Sequence, residues 1–211
     1  RSIDLMLDSD TIEHSRTAIL LGIVDYMARG GIKEVSSAGR IFSLEDVKEL
    51  IELETIPLIK NSFVLGYLFS AQTVLDTPGA IVNIGYSCGY CFQVLNDIEQ
   101  KYKGSINYDF EKHRKNIVMS FLYGCCTPHE RKKLTNTSDF EYVRKLIAKY
   151  NVIHTLLSEL ESEILQIMQQ TLLFKNSNPQ FYVDFKKFLI TMFDICYKKC
   201  GLPINNELFN D

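Results

Sequence analysis

The chain lacks any run of about eighteen apolar residues, so no helix in it is expected to span a bilayer. It has no surplus of positive charge: 23 Lys and Arg stand against 26 Asp and Glu, for a net charge of −3 and a pI near 5.9. That balance argues against a general nucleic-acid binder. No stretch alternates apolar and polar residues, so strands are not expected. No internal repeat appears, and neither does a glycine-rich phosphate loop or a Ser/His/Asp order. The four histidines (His14, His113, His129, His154) are scattered without metal-ligand spacing and read as surface or loop residues. Cys88-x-x-Cys91 has no second CxxC to complete a zinc site. The six cysteines therefore read as reduced thiols, mostly small core residues. No secretory signal is visible, so a cytoplasmic protein is expected. The first residue is Arg, not Met, and a missing N-terminal segment is expected.

What is present is helix. At 211 residues, with 46% hydrophobic residues and a mean hydropathy of −0.03, the chain suits one soluble domain, 1–211, with a substantial core. Helical spacing over about 12–28 stops at Gly30-Gly31. Ser43-Leu-Glu-Asp46 opens a short helix to about Leu53 as a capping box. Thr55 and Pro57 start a nearly all-apolar helix to about Leu75, which should lie deep in the core or in an interface. Asp76 to Gly79 is a loop, and the next helix runs to about Lys103. A turn at 104–108 precedes a segment from Asp109 to about Cys126. Thr135 to Ser138 is a linker, and Ser138-Asp-Phe-Glu141 is a capping-box start. The apolar period that follows predicts one rod of roughly 33 residues. Asn176 to Pro179 ends it, and a last helix over about 181–200 closes at Gly201 and Pro203. The expectation is an all-α bundle of long helices.

One helix carries more than packing. In Gly85-Tyr-Ser-Cys-Gly89-Tyr-Cys-Phe92-Gln93-Val-Leu-Asn96-Asp97, positions 85, 89, 93 and 97 recur every four residues, and Gln100 and Lys101 extend that face. An amide and a carboxylate facing inward on an apolar helix are costly unless they bind something. They read equally as a satisfied buried polar pair, or as a helix end where Asp97 simply reaches solvent.

This segment resembles the second aspartate-rich region of trans-isoprenyl diphosphate synthases, G-x-x-x-G-x-x-F-Q-x-x-D-D-x-x-D. Gly85, Gly89, Phe92, Gln93, Asn96 and Asp97 match, with Asn96 for the first Asp and Gln100 for the last. Downstream, Asp109 with Arg114 and Asn116 keeps the spacing of D-x-x-x-x-K-x-T. Upstream, Glu54-Thr55-x-x-Leu58 lies where the family has K-T-x-x-L. The resemblance runs from about residue 17 to 120 and leans towards the divergent branch that contains bacterial pheromone-prenylating enzymes.

The resemblance implies an isoprenoid-synthase-type bundle around a central apolar cavity. It also implies a Mg²⁺-dependent prenyltransferase acting on an allylic isoprenyl diphosphate, by chain elongation or prenyl transfer. The second substrate would be isopentenyl diphosphate or a peptide acceptor, and the protein a homodimer. A class I terpene synthase on the same fold, or a catalytically degenerate partner subunit, are the alternatives. Hard Mg²⁺ ions held by carboxylates would neutralise the leaving diphosphate. By resemblance, Asp97, Gln93 and Asp109 are catalytic. Thr55, Phe92, Lys101, Lys103 and Arg114 bind substrate, with Phe63 a second candidate for the tail cavity. Asp97 and Asn96 hold metal. Asp4 and Asp8, one helical turn apart, are the only candidates for the first aspartate motif. They read equally as solvated helix-end charges, with the true motif lying before residue 1. Glu54 stands where the family has lysine, and a carboxylate there repels a diphosphate.

Overall fold

The computed structural model describes residues 9–36, 43–70, 78–102, 116–136, 139–203 and 209. Among them the protein is all-helical, with no strand. In chain order the helices are α1 (Ser9–Ser36), α2 (Leu44–Glu54), α3 (Ile56–Ser70), α4 (Pro78–Tyr102), α5 (Ile117–Cys125), α6 (Pro128–Asn136), α7 (Phe140–Lys149), α8 (Val152–Thr171), α9 (Leu173–Ser177) and α10 (Pro179–Lys199). No described helix is long and apolar enough to cross a membrane. Asp4, Asp8, Lys103, Asp109 and Arg114 lie outside the described residues.

The centre of the bundle is α4, which packs against α2, α3, α5, α8 and α10. Ile84, Cys88, Cys91, Val94, Leu95 and Ile98 face inward and are essentially solvent-free. The cysteines here are core residues, and burial pushes the Cys91 thiol well above its usual range. His129 and His154 are exposed, as expected.

Gly85 and Gly89 set the distance between α3 and α4. A Cβ on Gly85 would stand 2.8 Å from the Lys60 Cα, and one on Gly89 would stand 3.0 Å from the Ile56 Cα. Both obstacles are main chain, which a rotamer change cannot move. Gly85→Ala is therefore expected to destabilise by about 1–3 kcal/mol through forced separation of the two helices. Gly66 lies on the exposed surface of α3, and a Cβ there would meet nothing within 4 Å. Gly66→Ala is expected to stabilise by up to about 1 kcal/mol from helix propensity. Urea midpoints of the two variants should move in opposite directions.

Several sequence expectations hold. Ser43 caps α2 in a reciprocal box with Asp46. The last long helix starts at Pro179, two residues before the expected 181, and the structure adds Asn178 as its cap. At the far end Gly201 takes φ +70, and Leu202 N–H reaches the Tyr197 carbonyl at 3.0 Å. That close is the expected glycine stop.

Others are corrected. Gly30-Gly31 does not end the first helix, which continues to Ser36. Gly30 is instead a contact point where the Glu54 side chain lies across α1. The α3 helix is not deep in the core: Ile56 and Val64 are buried, but Leu58 is 46% exposed. Residues 135 and 136 belong to helix α6, which sequence periodicity does not show. Asp139 caps α7 by accepting from Tyr142 N–H at 3.1 Å. The expected single rod is broken into α7 and α8 at Asn151, whose φ of +51 is left-handed. Asparagine tolerates that region better than most residues, and one such residue turns the chain.

Glu130 ties α6 to α7. Its carboxylate accepts from Lys149 Nζ at 2.7 Å, Tyr150 Oη at 2.6 Å, and Thr127 N and Oγ1 at 3.0 and 2.7 Å. The Lys149 hydrogen bond, then that from Tyr150, hold it far below the usual carboxylate range. A depressed native pKa contributes stability above the unfolded value near 4.3 and loses it as pH falls towards the native one. The stability gap between wild type and Glu130→Gln should be full at pH 7 and narrow steadily below about pH 4. Urea titrations at several pH values measure it.

Candidate functional site

Three residues singled out by sequence meet in one line. Thr55 sits at the junction of α2 and α3. Its N–H closes α2 on the Ile51 carbonyl at 3.1 Å, and its carbonyl accepts from Ile59 N–H at 3.2 Å. Its hydroxyl donates to Gln93 Oε1 at 2.7 Å, across 38 residues of sequence. Gln93 Nε2 donates to Asp97 Oδ1 at 2.9 Å, one turn along α4. Asp97 Oδ2 accepts the Ile117 N–H at 2.8 Å. The relay thus joins the α2–α3 corner, the central helix and the start of α5.

Asp97 is 4% exposed. Its carboxylate stands at the N-terminus of α5, where unpaired N–H groups and the helix dipole favour negative charge. Asn116 caps the same helix: its Oδ1 accepts from Val118 N–H at 2.9 Å and Met119 N–H at 3.4 Å. In the sequence Asn116 serves only as a spacing mark. Its place before an apolar run is the available signal for a cap.

Beside the relay lies a cleft of about 320 Å³, lined by Thr55, Phe92, Gln93, Leu95, Asn96, Glu99, Cys196 and Lys199. Thr55, Gln93, Phe92 and Asn96 match the sequence expectation. Glu99, Cys196 and Lys199 do not figure in it. The latter two come from α10, about a hundred residues away, so no local pattern places them. Phe92 is half-buried and stacks on Phe193, with ring centroids 6.3 Å apart and planes at 22°. Asn96 is exposed at the cleft and Glu99 half-buried. Burial raises the Cys196 thiol above its usual range, with Lys199 opposing and Glu99 adding to the shift.

One expected residue falls elsewhere. Phe63 is not in this cleft but packs edge-on against Phe185 and Phe188, at 5.8 and 6.1 Å. Lys101 lies in the last turn of α4, where its side chain is outside the described ones. Glu54 does not line the cleft either, because its side chain is turned towards Gly30. A larger groove of about 640 Å³ lies between α7 and α8, walled by Phe140, Ile147, Ile153 and Leu157. It contains none of the relay residues.

The described residues alone do not fit a Mg²⁺ ion. Each oxygen of Asp97 already accepts a protein N–H. Among the described residues no cluster of three His, Cys, Asp or Glu has metal-binding spacing. What the arrangement offers chemically is a half-polar cleft: an amide and a hydroxyl in fixed orientation, an aromatic wall and one ammonium. Such a cleft suits a small ligand with an anionic head and an apolar body.

Compared with family models, with curated proteins and with solved structures, the chain finds no match in any of the three.

Proposed function

We propose that the protein is a prenyltransferase of isoprenoid-synthase type that takes an allylic isoprenyl diphosphate. The observation that carries this reading is the 2.7 Å bond between Thr55 and Gln93. It joins the two segments whose residues resemble that family's K-T and F-Q motifs. Asn96 and the second amide proton of Gln93 then orient the diphosphate, Gln93 is held in one amide orientation by Thr55 and Asp97, and the apolar chain leaves along Phe92. The hydrogen bonds of the relay, anchored on buried Asp97, fix these groups before substrate arrives, which is the preorganisation that ionising a diphosphate needs. Mg²⁺ enters this reading as the resemblance implies it, through Asn96 with Asp4 and Asp8, while Asp97, with both oxygens engaged, serves as the buried anchor.

The test is incubation of the full chain with Mg²⁺ and geranyl, farnesyl or geranylgeranyl diphosphate. Each is run with and without isopentenyl diphosphate or a peptide acceptor. Diphosphate release and product mass are followed. Release with a prenylated acceptor is the expected result, and release with a cyclised product reassigns the chain to terpene synthesis. A folded chain that releases nothing from any substrate sinks the enzymatic reading. One observation favours the partner-subunit alternative: the engaged carboxylate of Asp97. Activity appearing only with an added intact synthase would establish it.

A homodimer is part of the same proposal. Leu20, Leu21, Val24, Ile32 and Val35 are each more than half exposed on α1. Contiguous apolar faces of this kind mark association surfaces. Val24→Glu should convert a dimer to a monomer in sedimentation velocity, without loss of helix content. A wild-type chain that sediments as a monomer removes the proposal.

A further inference from the structure

We infer that Lys199 is the cation that receives the anionic head of the cleft's ligand, an inference that rests on the allylic-diphosphate reading above. Three observations on α10 lead there. Among the described residues lining the cleft, Lys199 is the sole Lys or Arg. Its neighbour Lys198 is already held by Asp194, with Nζ to Oδ2 at 2.6 Å. Lys199 makes no such ion pair among the described residues, and its side chain is exposed at the cleft.

The placement follows from the helix. Both lysines lie in the last turn of α10, where positive charge complements the carbonyl end. Successive residues are about 100° apart around a helix, so the two ammonium groups point to different places. Lys198 reaches back along α10 to Asp194, and Lys199 lies with Cys196 on the turn that faces α4. The fold secures that turn: Cys200 Sγ donates to the Leu95 carbonyl at 3.2 Å. Tyr197 is also buried against the core. Lys199 therefore hangs from a fixed backbone over Thr55, Gln93 and Asn96.

The chemistry selects the ligand. An ammonium supplies three donors and a full charge, and Asn96 adds an amide donor. Glu99 lines the same cleft and is half-buried; what favours a head with several anionic oxygens is that Lys199 and Asn96 can engage it together. A diphosphate meets that demand better than a carboxylate. Glu54 is itself an acid, and its side chain lies against Gly30, so among the described residues the cleft's positive charge comes from another element. Helix α10 thus adds a cation to a cleft whose other described lining residues come from 55–99.

The experiment is titration of the full chain, by calorimetry at low ionic strength, with inorganic pyrophosphate and with farnesyl thiolodiphosphate. Wild type is compared with Lys199→Gln, Lys199→Arg and Lys198→Gln. Loss of a charge-assisted contact should weaken both ligands about tenfold or more in Lys199→Gln. Lys199→Arg should stay within about threefold of wild type, because the charge is kept, and Lys198→Gln should match it. In parallel, site-resolved mass spectrometry after alkylation should show Cys196 protected by either ligand and exposed Cys125 unprotected. If wild type binds both ligands and Lys199→Gln binds them equally well, the inference is wrong while the functional reading survives. If the folded wild type binds neither, the functional reading fails and takes this inference with it.

Discussion

Phe193→Ala should lower the stability of the protein by about 3–5 kcal/mol. Phe193 is a fully buried side chain on α10, among the largest in the core. Its ring stacks on Phe92, so truncation opens a void directly behind the apolar wall of the cleft. The lost transfer energy and the cavity term add, because the long helices on either side cannot collapse into the gap. Phe188 on the same helix is the control: it is 52% exposed, and Phe188→Ala should cost about 1 kcal/mol or less. Urea denaturation of the two variants measures the difference. A Phe193 variant no less stable than the Phe188 one would mean that α10 does not pack on α4 as described. The cleft, with Cys196 and Lys199 in it, would go too.

Asp97→Ala should cost about 2–4 kcal/mol. The carboxylate is 4% exposed and accepts from Ile117 N–H and from the Gln93 amide. Without it the Ile117 N–H is left buried and unpaired, at a cost of about 1–3 kcal/mol, and the half-buried Gln93 amide loses its partner. Asp97→Asn is the informative partner. The introduced amide oxygen can still accept from Ile117 N–H, and the introduced NH₂ then faces Gln93. If Gln93 turns its own amide over, its Oε1 accepts from that NH₂ and its Nε2 donates to the Thr55 hydroxyl. Every bond of the relay is then kept with reversed polarity, because a hydroxyl both donates and accepts. Asp97→Asn should therefore cost about 1 kcal/mol, the difference between a charged and a neutral acceptor. Thr55→Val added to Asp97→Asn removes the acceptor that the turned Gln93 needs, so the two changes should be more than additive. Equal midpoints for Asp97→Ala and wild type would show that the relay contributes nothing to folding.

Much of the architecture is legible because the helices advertise their ends. Ser43 and Gly201 act through one or two local hydrogen bonds, which neighbouring residues specify. Gly30-Gly31 misleads because two glycines only weaken a helix, and the contact of Gly30 with Glu54 comes from another element. The break at Asn151 is hidden for a different reason. Val143, Leu146, Val152, Leu156 and Leu160 are all buried, so the apolar period continues through the bend. The site divides in the same way. Gln93 and Asp97 show themselves as polar residues on an apolar face, and Thr55 by its spacing to Gln93. Cys196 and Lys199 give no signal, since only the packing of α10 on α4 brings them there. That Asp97 is either a ligand or one half of a satisfied buried pair is also legible, and the structure adds its partners: a helix N-terminus and an amide.

We propose that the cleft beside the relay holds the allylic diphosphate. Asn96 tests it most directly, since it lines the cleft, is exposed, and lies outside the Thr55–Gln93–Asp97–Ile117 chain. Asn96→Ala should unfold at the same urea concentration as wild type. Its affinity for farnesyl thiolodiphosphate in the presence of Mg²⁺ should fall about tenfold. A variant that keeps wild-type affinity, with the wild type binding tightly, would place the ligand elsewhere on the protein.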